Sequence, residues 1–323
     1  MKALPWGRMP DLPLVSIITP SYNQGQFLEA TIRSVLEQDY PRLEYIVIDG
    51  GSTDDSLQIL SHYASRLAYW ESQPDRGQAH AINKGLQRAQ GDILGWLNSD
   101  DLLLPGVVSQ AVQIFNQHPD VDVVYGRLER IDERGELLLT PSLPKDRVDF
   151  NIEHVLDECV VNQPGSFWRR AVMERVGLLD ERLRYSLDYE YWIRLALAGA
   201  HFMHLSEPVA RFRLSSDSKT VGRTAVFAQE QLQVLETVAA QPDLPKILGW
   251  STARVQQQAQ QTRARIRLNV GYGYLKLHNW ETAAHWLMAA LRANPVVLFE
   301  RRWLALAFAR LRNRWLHLRR GTG

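Results

Sequence analysis

VSIITPSYNQGQFLEATIRSVLEQDYPRLEYIVIDG, residues 15–50, sets two short β-branched runs around one amphipathic stretch. The runs Val15–Pro20 and Glu44–Gly50 are compact and β-branched, of the kind expected for strands buried on both faces. Between them, Phe27, Ile32, Val35 and Leu36 share one side of a helix expected over Phe27–Gln38. Strand, helix, strand in this order predicts a parallel pair joined by a crossover. The alternation continues through helices at Thr53–Tyr63, Gln78–Ala89 and Pro105–Gln117 and strands at Leu67–Glu71, Asp92–Leu97 and Val121–Tyr125. Ser52 and Thr53 read as caps of the first of these helices. Five strands and four helices predict an α/β fold with a doubly wound, mostly parallel sheet, which takes ligands beyond the carboxyl ends of its strands.

After Tyr125 the alternation stops. Leu128–Thr140 reads as a hairpin around residues 132–135, Ser166–Arg169 as a strand, and Arg170–Val176 and Asp188–Ala198 as helices, while His201–Leu214 alternates like a strand. From Lys219 the pattern is helical only, with Pro242 and Pro245 marking the expected break. These signals divide the chain into an N-terminal segment (1–13), two halves of an α/β domain (14–125 and 126–240) and a helical extension (241–323).

The composition is that of an ordinary globular protein of 323 residues, 45% apolar and 23% charged, which excludes collagen-like and disordered readings. One cysteine, Cys159, rules out an internal disulfide and a multi-cysteine metal cluster and points to a reducing compartment. Pro5, Pro10, Asp11 and Pro13 interrupt any apolar run near the N-terminus, so no signal peptide is expected. The longest apolar run, Trp303–Ala309, is too short for a membrane span. A net charge of +1 gives no reason to expect nucleic acid. That balance hides a sorting of charge, because residues 299–323 carry +6 and the rest of the chain −5.

Two acidic groups stand at strand carboxyl ends. Asp49 closes the second strand before Gly50, Gly51 and Ser52, and Ser99-Asp100-Asp101 follows Ile93–Leu97. Either alone reads as readily as a turn or cap residue; two on one sheet edge suit a divalent cation that also holds a diphosphate. A dinucleotide oxidoreductase would instead need Gly-x-Gly-x-x-Gly after the first strand, and Pro20-Ser21-Tyr22-Asn23-Gln24-Gly25 lacks it.

Residues 14–105 resemble the nucleotide-sugar-binding half of an inverting glycosyltransferase of family 2 with the GT-A fold. The resemblance rests on four ordered motifs: Val15–Asn23, Ile48–Asp54, Pro74–Gln78 running into Ala81–Gly85, and Gly95–Asp101. It implies that Pro20, Tyr22 and Asp49 border the nucleoside, and that Asp75 and Arg76 lie on the loop below the base. It also implies that Asp100, with Asp101, holds Mg²⁺ or Mn²⁺. Asn98 stands at the first position of the family's Asp-x-Asp motif and can offer only a neutral amide oxygen. Gly50 stands where many relatives carry Asp. Both departures reduce the local negative charge.

Ser186–Trp192 resembles the family's acidic motif on the acceptor side, which makes Asp188 the implied general base. The bland reading of Asp188 is a carboxylate favoured by a helix N-terminus, and Glu190 is the second candidate on another helix face. Asn162–Trp168 resembles the segment before the base; there Gln163 is a candidate contact to donor sugar or acceptor, and Trp168 is either core or a sugar-stacking ring. Arg211–Arg213 with Ser215–Lys219 resembles a segment that closes over the diphosphate, with Arg213 and Lys219 as phosphate candidates. His80, His201 and His204 are not spaced as a metal site. The resemblance thus implies a metal-assisted transfer from a nucleotide diphosphate sugar, with UDP the expected nucleotide, to a glycan or lipid-linked hydroxyl. A non-catalytic nucleotide-sugar sensor acting through its helical region is the alternative.

Leu268–Pro295 resembles a single tetratricopeptide unit, two helices closed by Pro295. Beyond it, Trp303, Leu304, Phe308, Leu311 and Trp315 interleave with arginines, a composition suited to an anionic membrane surface, a protein partner or the chain's own core. The expected location is cytoplasmic, at most peripheral on the inner face of a membrane.

Overall fold

The structure, a computed structural model, describes residues 12–138, 150–157, 161–215 and 224–296. These residues form two compact units. The described residues up to 155 and from 161 to 215 make the first; 156, 157 and 224–296 make the second.

The first unit is one eight-stranded sheet with flanking helices. Its chain order runs β1 (Val15–Ser21), α1 (Gly25–Leu36), β2 (Leu43–Asp49), α2 (Ser56–Tyr63), β3 (Tyr69–Ser72), α3 (Gln78–Arg88), β4 (Ile93–Trp96), β5 (Leu102–Leu103) and α4 (Val107–Gln117). β6 (Val123–Ile131), β7 (Phe167–Arg169), α5 (Arg170–Val176), α6 (Leu187–Leu197) and β8 (Phe202–Arg213) follow. In space the strands lie in the order β3-β2-β1-β4-β7-β6-β8-β5. β3, β2, β1 and β4 pair in parallel, as the apolar runs predict. All seven residues of β1 are buried.

The fifth strand does not extend this parallel set directly. β7 enters antiparallel between β4 and β6, and β6 instead pairs in parallel with β8. The physical reason lies in Phe167 and Trp168, both buried, which need cover on each face of the sheet. Gly95 permits the insertion: a Cβ there would come within 3.1 Å of the Phe167 ring and the Ser166 carbonyl. β6 also runs to Ile131, past the expected end at Tyr125, and the turn over residues 132–136 brings Leu137 back to Ile131 by a single bridge. Thr140, the expected end of that hairpin, lies outside the described residues.

Helix packing follows the sequence stripes. α1 buries Phe27, Leu28, Thr31, Ile32 and Val35, and α3 buries Ala79, Ala81, Ile82, Gly85 and Leu86. α3 sits so close to β1 that a Cβ on Gly85 would lie 2.4 Å from Ile18 Cγ2. α2 begins at Ser56 rather than Thr53. Ser52 donates to Asp49 Oδ1 instead of capping a helix, and Asp54 accepts from the N–H groups of Ser56 and Gly25.

Glu71 links β3 to α3 through Lys84, Arg88 and the Tyr69 hydroxyl. Burial alone would raise its carboxyl, but these three donors outweigh burial and bring it down to about 2. A depressed carboxylate stabilises the fold above its ordinary range and loses that contribution as pH falls through the folded value. Glu71→Gln is therefore expected to cost about 1–2 kcal/mol at neutral pH. The gap to the parent protein should close between roughly pH 4.5 and 2. Chemical denaturation at pH 7 and pH 3 checks this, and an equal gap at both would contradict it.

The second unit comprises α7 (Thr224–Ala239), α8 (Leu244–Leu248), α9 (Thr252–Lys276) and α10 (Trp280–Ala293). α7 belongs to this unit, so the division falls before it rather than at Pro242; Pro245 lies in the first turn of α8. Ser251 caps α9 by accepting from Arg254 N–H, and Asn279 caps α10 by accepting from Thr282 N–H. Ala264, Leu268 and Ala290 form a small buried core with Leu287 against it, and Gly271 lets the two helices approach closely there. No described helix is long and apolar enough to cross a membrane. The arginine-rich tail, Lys219 and Cys159 lie outside the described residues.

Candidate functional site

The carboxyl ends of β1, β2 and β4 sit side by side, because β1 pairs Ser21 with Asp49 on one flank and Ile18 with Trp96 on the other. The loops leaving β1 and β2 are tied together. Gly50 N–H donates to the Ser21 carbonyl (2.8 Å), Asn23 N–H to Ser52 Oγ (2.7 Å) and Thr53 N–H to Asn23 Oδ1 (2.9 Å). Asn23 adopts a left-handed φ of 51° to do so.

Asp49 is the knot of this arrangement and is fully buried. It accepts from the N–H groups of Gly51 and Ser52 (3.1 and 2.8 Å) and from the hydroxyls of Ser52 and Ser72 (2.5 and 2.6 Å). Its oxygens shape the loop that leaves β2. Pro20 is buried within β1, whereas Tyr22 is 61% exposed just beyond it.

Gly50 has a specific steric consequence. A Cβ there would lie 2.8 Å from Asp75 Oδ2 and 3.4 Å from Tyr22 Cδ2. The absent side chain thus makes room for the Asp75 carboxylate beside Tyr22. Asp75 Oδ1 accepts from Gly77 N–H (2.6 Å), which fixes its direction. Arg76 is largely exposed and pairs with Glu181 at 2.6 Å.

Asn98 forms a hub at the end of β4. Its Oδ1 accepts from Gln78 (2.7 Å), while its Nδ2 donates to Gln163 Oε1 (3.2 Å) and Asp101 Oδ2 (3.3 Å). Gln163 is buried and donates to the Trp96 carbonyl (2.7 Å), so it holds Asn98 from the far side. Gln78 holds the Oδ1 side of this hub, a role that sequence reading did not single out although the residue closes one of the quoted motifs. Its place two residues after Arg76, in the first turn of a helix leaving the base loop, was the available signal. Thr31 is a second such residue: its hydroxyl meets the carbonyls of Ser99 and Asp101.

The two adjacent aspartates diverge. Asp101 is fully buried, with Oδ1 accepting from Arg213 N–H (3.1 Å). Burial first, and the charge of Asp100 second, hold its carboxyl well above the usual range. Asp100, by contrast, is only partly buried. Arg213 is itself buried; its guanidinium donates to the carbonyls of Asp100, Asp132 and Glu133 and lies over Phe27. It braces the Asp100 backbone instead of reaching outward.

Among the described residues no group of three or more His, Cys, Asp or Glu side chains could cage a metal ion. The donor set fits a different mode: hard divalent ions bind through one or two protein oxygens together with substrate phosphates. Asp100 meets that requirement.

Asp188 lies in the first turn of α6 and its Oδ1 accepts from its neighbour's N–H at Tyr189 (2.8 Å). Tyr191 and Trp192, three and four residues on, share its helix face and are buried against Trp96 and Trp168. Trp96 stacks on Trp192 with ring centroids 5.7 Å apart and planes within 2°. Trp168 is therefore core, not a sugar platform. This aromatic cluster seats the Asp188 face of α6 on the end of β4, two residues before Asn98. A second latch ties the approach to α6 to α3 and the loop before it. Asn83 exchanges two hydrogen bonds with the Leu179 backbone (both 2.9 Å), and Arg184 donates to the Arg76 carbonyl across Gly77. Glu190 is engaged elsewhere, in a two-pronged pair with Arg194 (2.7 and 2.9 Å).

Comparison with known proteins agrees with this geometry. The family model described as glycosyl transferase family 2 matches residues 16–175. A protein of Rickettsia typhi described as an uncharacterized glycosyltransferase is 31% identical over 233 residues, covering 69% of this chain and 70% of that protein. Among solved structures, S. aureus TarS 1-349 in complex with UDP-GlcNAc is similar with a TM-score of 0.63 at 16% identity, over 88% of this chain and 84% of that one. The mannosyltransferase PcManGT from Pyrobaculum calidifontis, in complex with GDP-Man and Mn²⁺, is similar with a TM-score of 0.58 at 19% identity, over 92% and 83% of the two chains. At such identities the structural likeness shows a shared fold.

Proposed function

The chain belongs to glycosyl transferase family 2, and from that premise we propose that it is an inverting, metal-assisted enzyme moving a sugar from a nucleotide diphosphate donor to an acceptor hydroxyl. What supports the reading is that Asp100 follows β4 by four residues while the helix face bearing Asp188 packs on the last residue of that strand, Trp96. UDP is the nucleotide, seated beside Tyr22 and Asp75. A glycan or lipid-linked alcohol is the acceptor, and the cytosolic side of a membrane is the place.

The chemistry needs charge stabilisation on the departing diphosphate, a base for the acceptor, and positioning. Mg²⁺ or Mn²⁺, when bound through Asp100, supplies charge to the diphosphate oxygens. Asp188 takes the acceptor proton as the acceptor oxygen bonds to the anomeric carbon, and the bond from that carbon to the diphosphate breaks with its electron pair on the leaving oxygen. Asn98, held by Gln78 and Gln163, sets the floor beneath the reacting sugar. Arg76, exposed at the loop rim, closes the donor side through Glu181.

Thermal shift with nucleotide sugars tests the donor reading. A UDP-sugar with Mn²⁺ is expected to raise the Tm by about 5 °C, and chelator should remove most of that rise. Stabilisation by GDP-sugars alone would overturn the choice of UDP, and an undiminished shift in chelator would overturn the metal. A nucleotide-sugar sensor would bind the donor without consuming it, so release of free UDP in the presence of acceptor extract separates the two classes of function.

A further inference from the structure

The helical unit carries an open groove of about 660 Å³ between α7, α9 and α10, remote in sequence from every residue of the strand-end site. Three of its lining side chains are arginines, Arg263 and Arg267 on α9 and Arg292 at the end of α10. Among the described lining residues Glu236 is the one carboxylate, and its side chain is 55% exposed. Arg263 and Arg267 stand one helical turn apart, a spacing that disfavours like charges. Arg263 Nε is buried within 3.4 Å of Glu236 Oε1 yet makes no hydrogen bond. Arg267 donates to the Ala289 carbonyl (3.3 Å), and burial, then the charge of Arg263, lower its pKa. The groove therefore holds two positive charges more than its own carboxylate offsets.

Guanidinium forks match the oxygens of phosphate in pairs, which makes an arginine cluster a better fit to an oxyanion than to a diffuse negative surface. The volume exceeds what a bare ion fills and lies in the range of small-molecule sites. Gln256 and Gln260 add amides that both donate and accept, as hydroxyl recognition requires, and Ala239 and Ala293 keep the walls short.

We propose that this groove binds the phosphate group of a phosphorylated carbohydrate, with Arg263, Arg267 and Arg292 on the phosphate and Gln256 and Gln260 on the sugar hydroxyls. Such a site gives a sugar-transferring enzyme a second hold on a phosphate-bearing glycan, outside the donor site. The inference stands independently of the roles of Asp100 and Asp188.

Calorimetric titration of the full chain with glucose 6-phosphate, without nucleotide or divalent ion, tests it, and variants of the groove arginines distinguish this site from any donor site. Binding in roughly the millimolar range or tighter is expected, with glucose at least tenfold weaker. The double variant Arg263→Gln/Arg267→Gln should lose at least tenfold, while its Tm without ligand should stay close to the parent's, since relief of the like-charge pair offsets loss of the Arg263–Glu236 ion pair and of the Arg267 bond to the Ala289 carbonyl. Glucose binding as well as its phosphate, or a folded double variant binding as the parent does, would overturn the proposal. Should the double variant fail to fold, Arg292→Gln at the exposed helix end decides: a several-fold loss supports the site, and unchanged affinity overturns it. Because no step of this assay needs turnover, failure of the catalytic reading would leave its outcome unaffected.

Discussion

Asp188→Asn is expected to lower the transfer rate by two to four orders of magnitude while leaving the donor dissociation constant within about twofold, the range that a positioned general base contributes. The amide is nearly isosteric with the carboxylate and keeps an oxygen that accepts from Tyr189 N–H, so α6 should start as before. The seat of the helix is also untouched, since Tyr191 and Trp192 hold it against Trp96 and Trp168. What the amide cannot do is take the acceptor's proton. Glu190→Gln is the matched control. It breaks the pair with Arg194, whose guanidinium also holds the Val176 and Leu178 carbonyls, so it should reduce stability by about 1 kcal/mol and transfer by only a few-fold. Single-turnover rates and donor titration on the two variants check this. A tenfold loss of donor affinity in Asp188→Asn would move that residue to the donor side, and near-normal transfer would remove it from the chemistry.

The parallel half of the sheet was legible because its strands announce themselves locally. Val15–Pro20 and Glu44–Gly50 are dense in β-branched residues, and the strands they form are buried on both faces along most of their length. β7 was legible as a strand over Ser166–Arg169, but its place between β4 and β6 was not, and β5 was not legible at all, because two residues carry no periodicity and the partners Gly95 and Arg211 lie far away in sequence. The site divides in the same way. The family resemblance named Asp49, Asn98, Asp100 and Asp188 as candidates, but which lone pairs remain for a ligand depends on neighbours that a motif does not reveal. Asp49 is consumed by Ser52 and Ser72, Gln163 by Asn98 and Trp96, and Arg213 by three backbone carbonyls. Gly50 reads as a lost acid in the sequence, yet in the fold it is the space that Asp75 occupies.

Asp100→Ala and Asp101→Ala should give opposite phenotypes, although the residues are adjacent and alike. Asp101 is enclosed and supplies the acceptor for the Arg213 N–H, with Asn98 Nδ2 on its other oxygen. Its removal leaves two buried donors unmatched and a void, a loss of about 2–3 kcal/mol. For a domain of this size that is roughly 5–10 °C in Tm. Transfer should fall only in proportion to the fraction unfolded and to the slackening of Asn98. Asp100 is partly exposed, and its backbone stays fastened by Arg213 through the Asp100 carbonyl, so Asp100→Ala should shift the Tm by little. Its transfer rate is expected to drop by about two to three orders of magnitude, the scale of losing one preorganised stabiliser of transition-state charge. The response to Mn²⁺ should disappear with it. Thermal melts with single-turnover rates, with and without Mn²⁺, separate the pair. If Asp101→Ala melts like the parent and loses its metal response, the two aspartates exchange roles, and the buried carboxyl would have to turn outward when the donor binds.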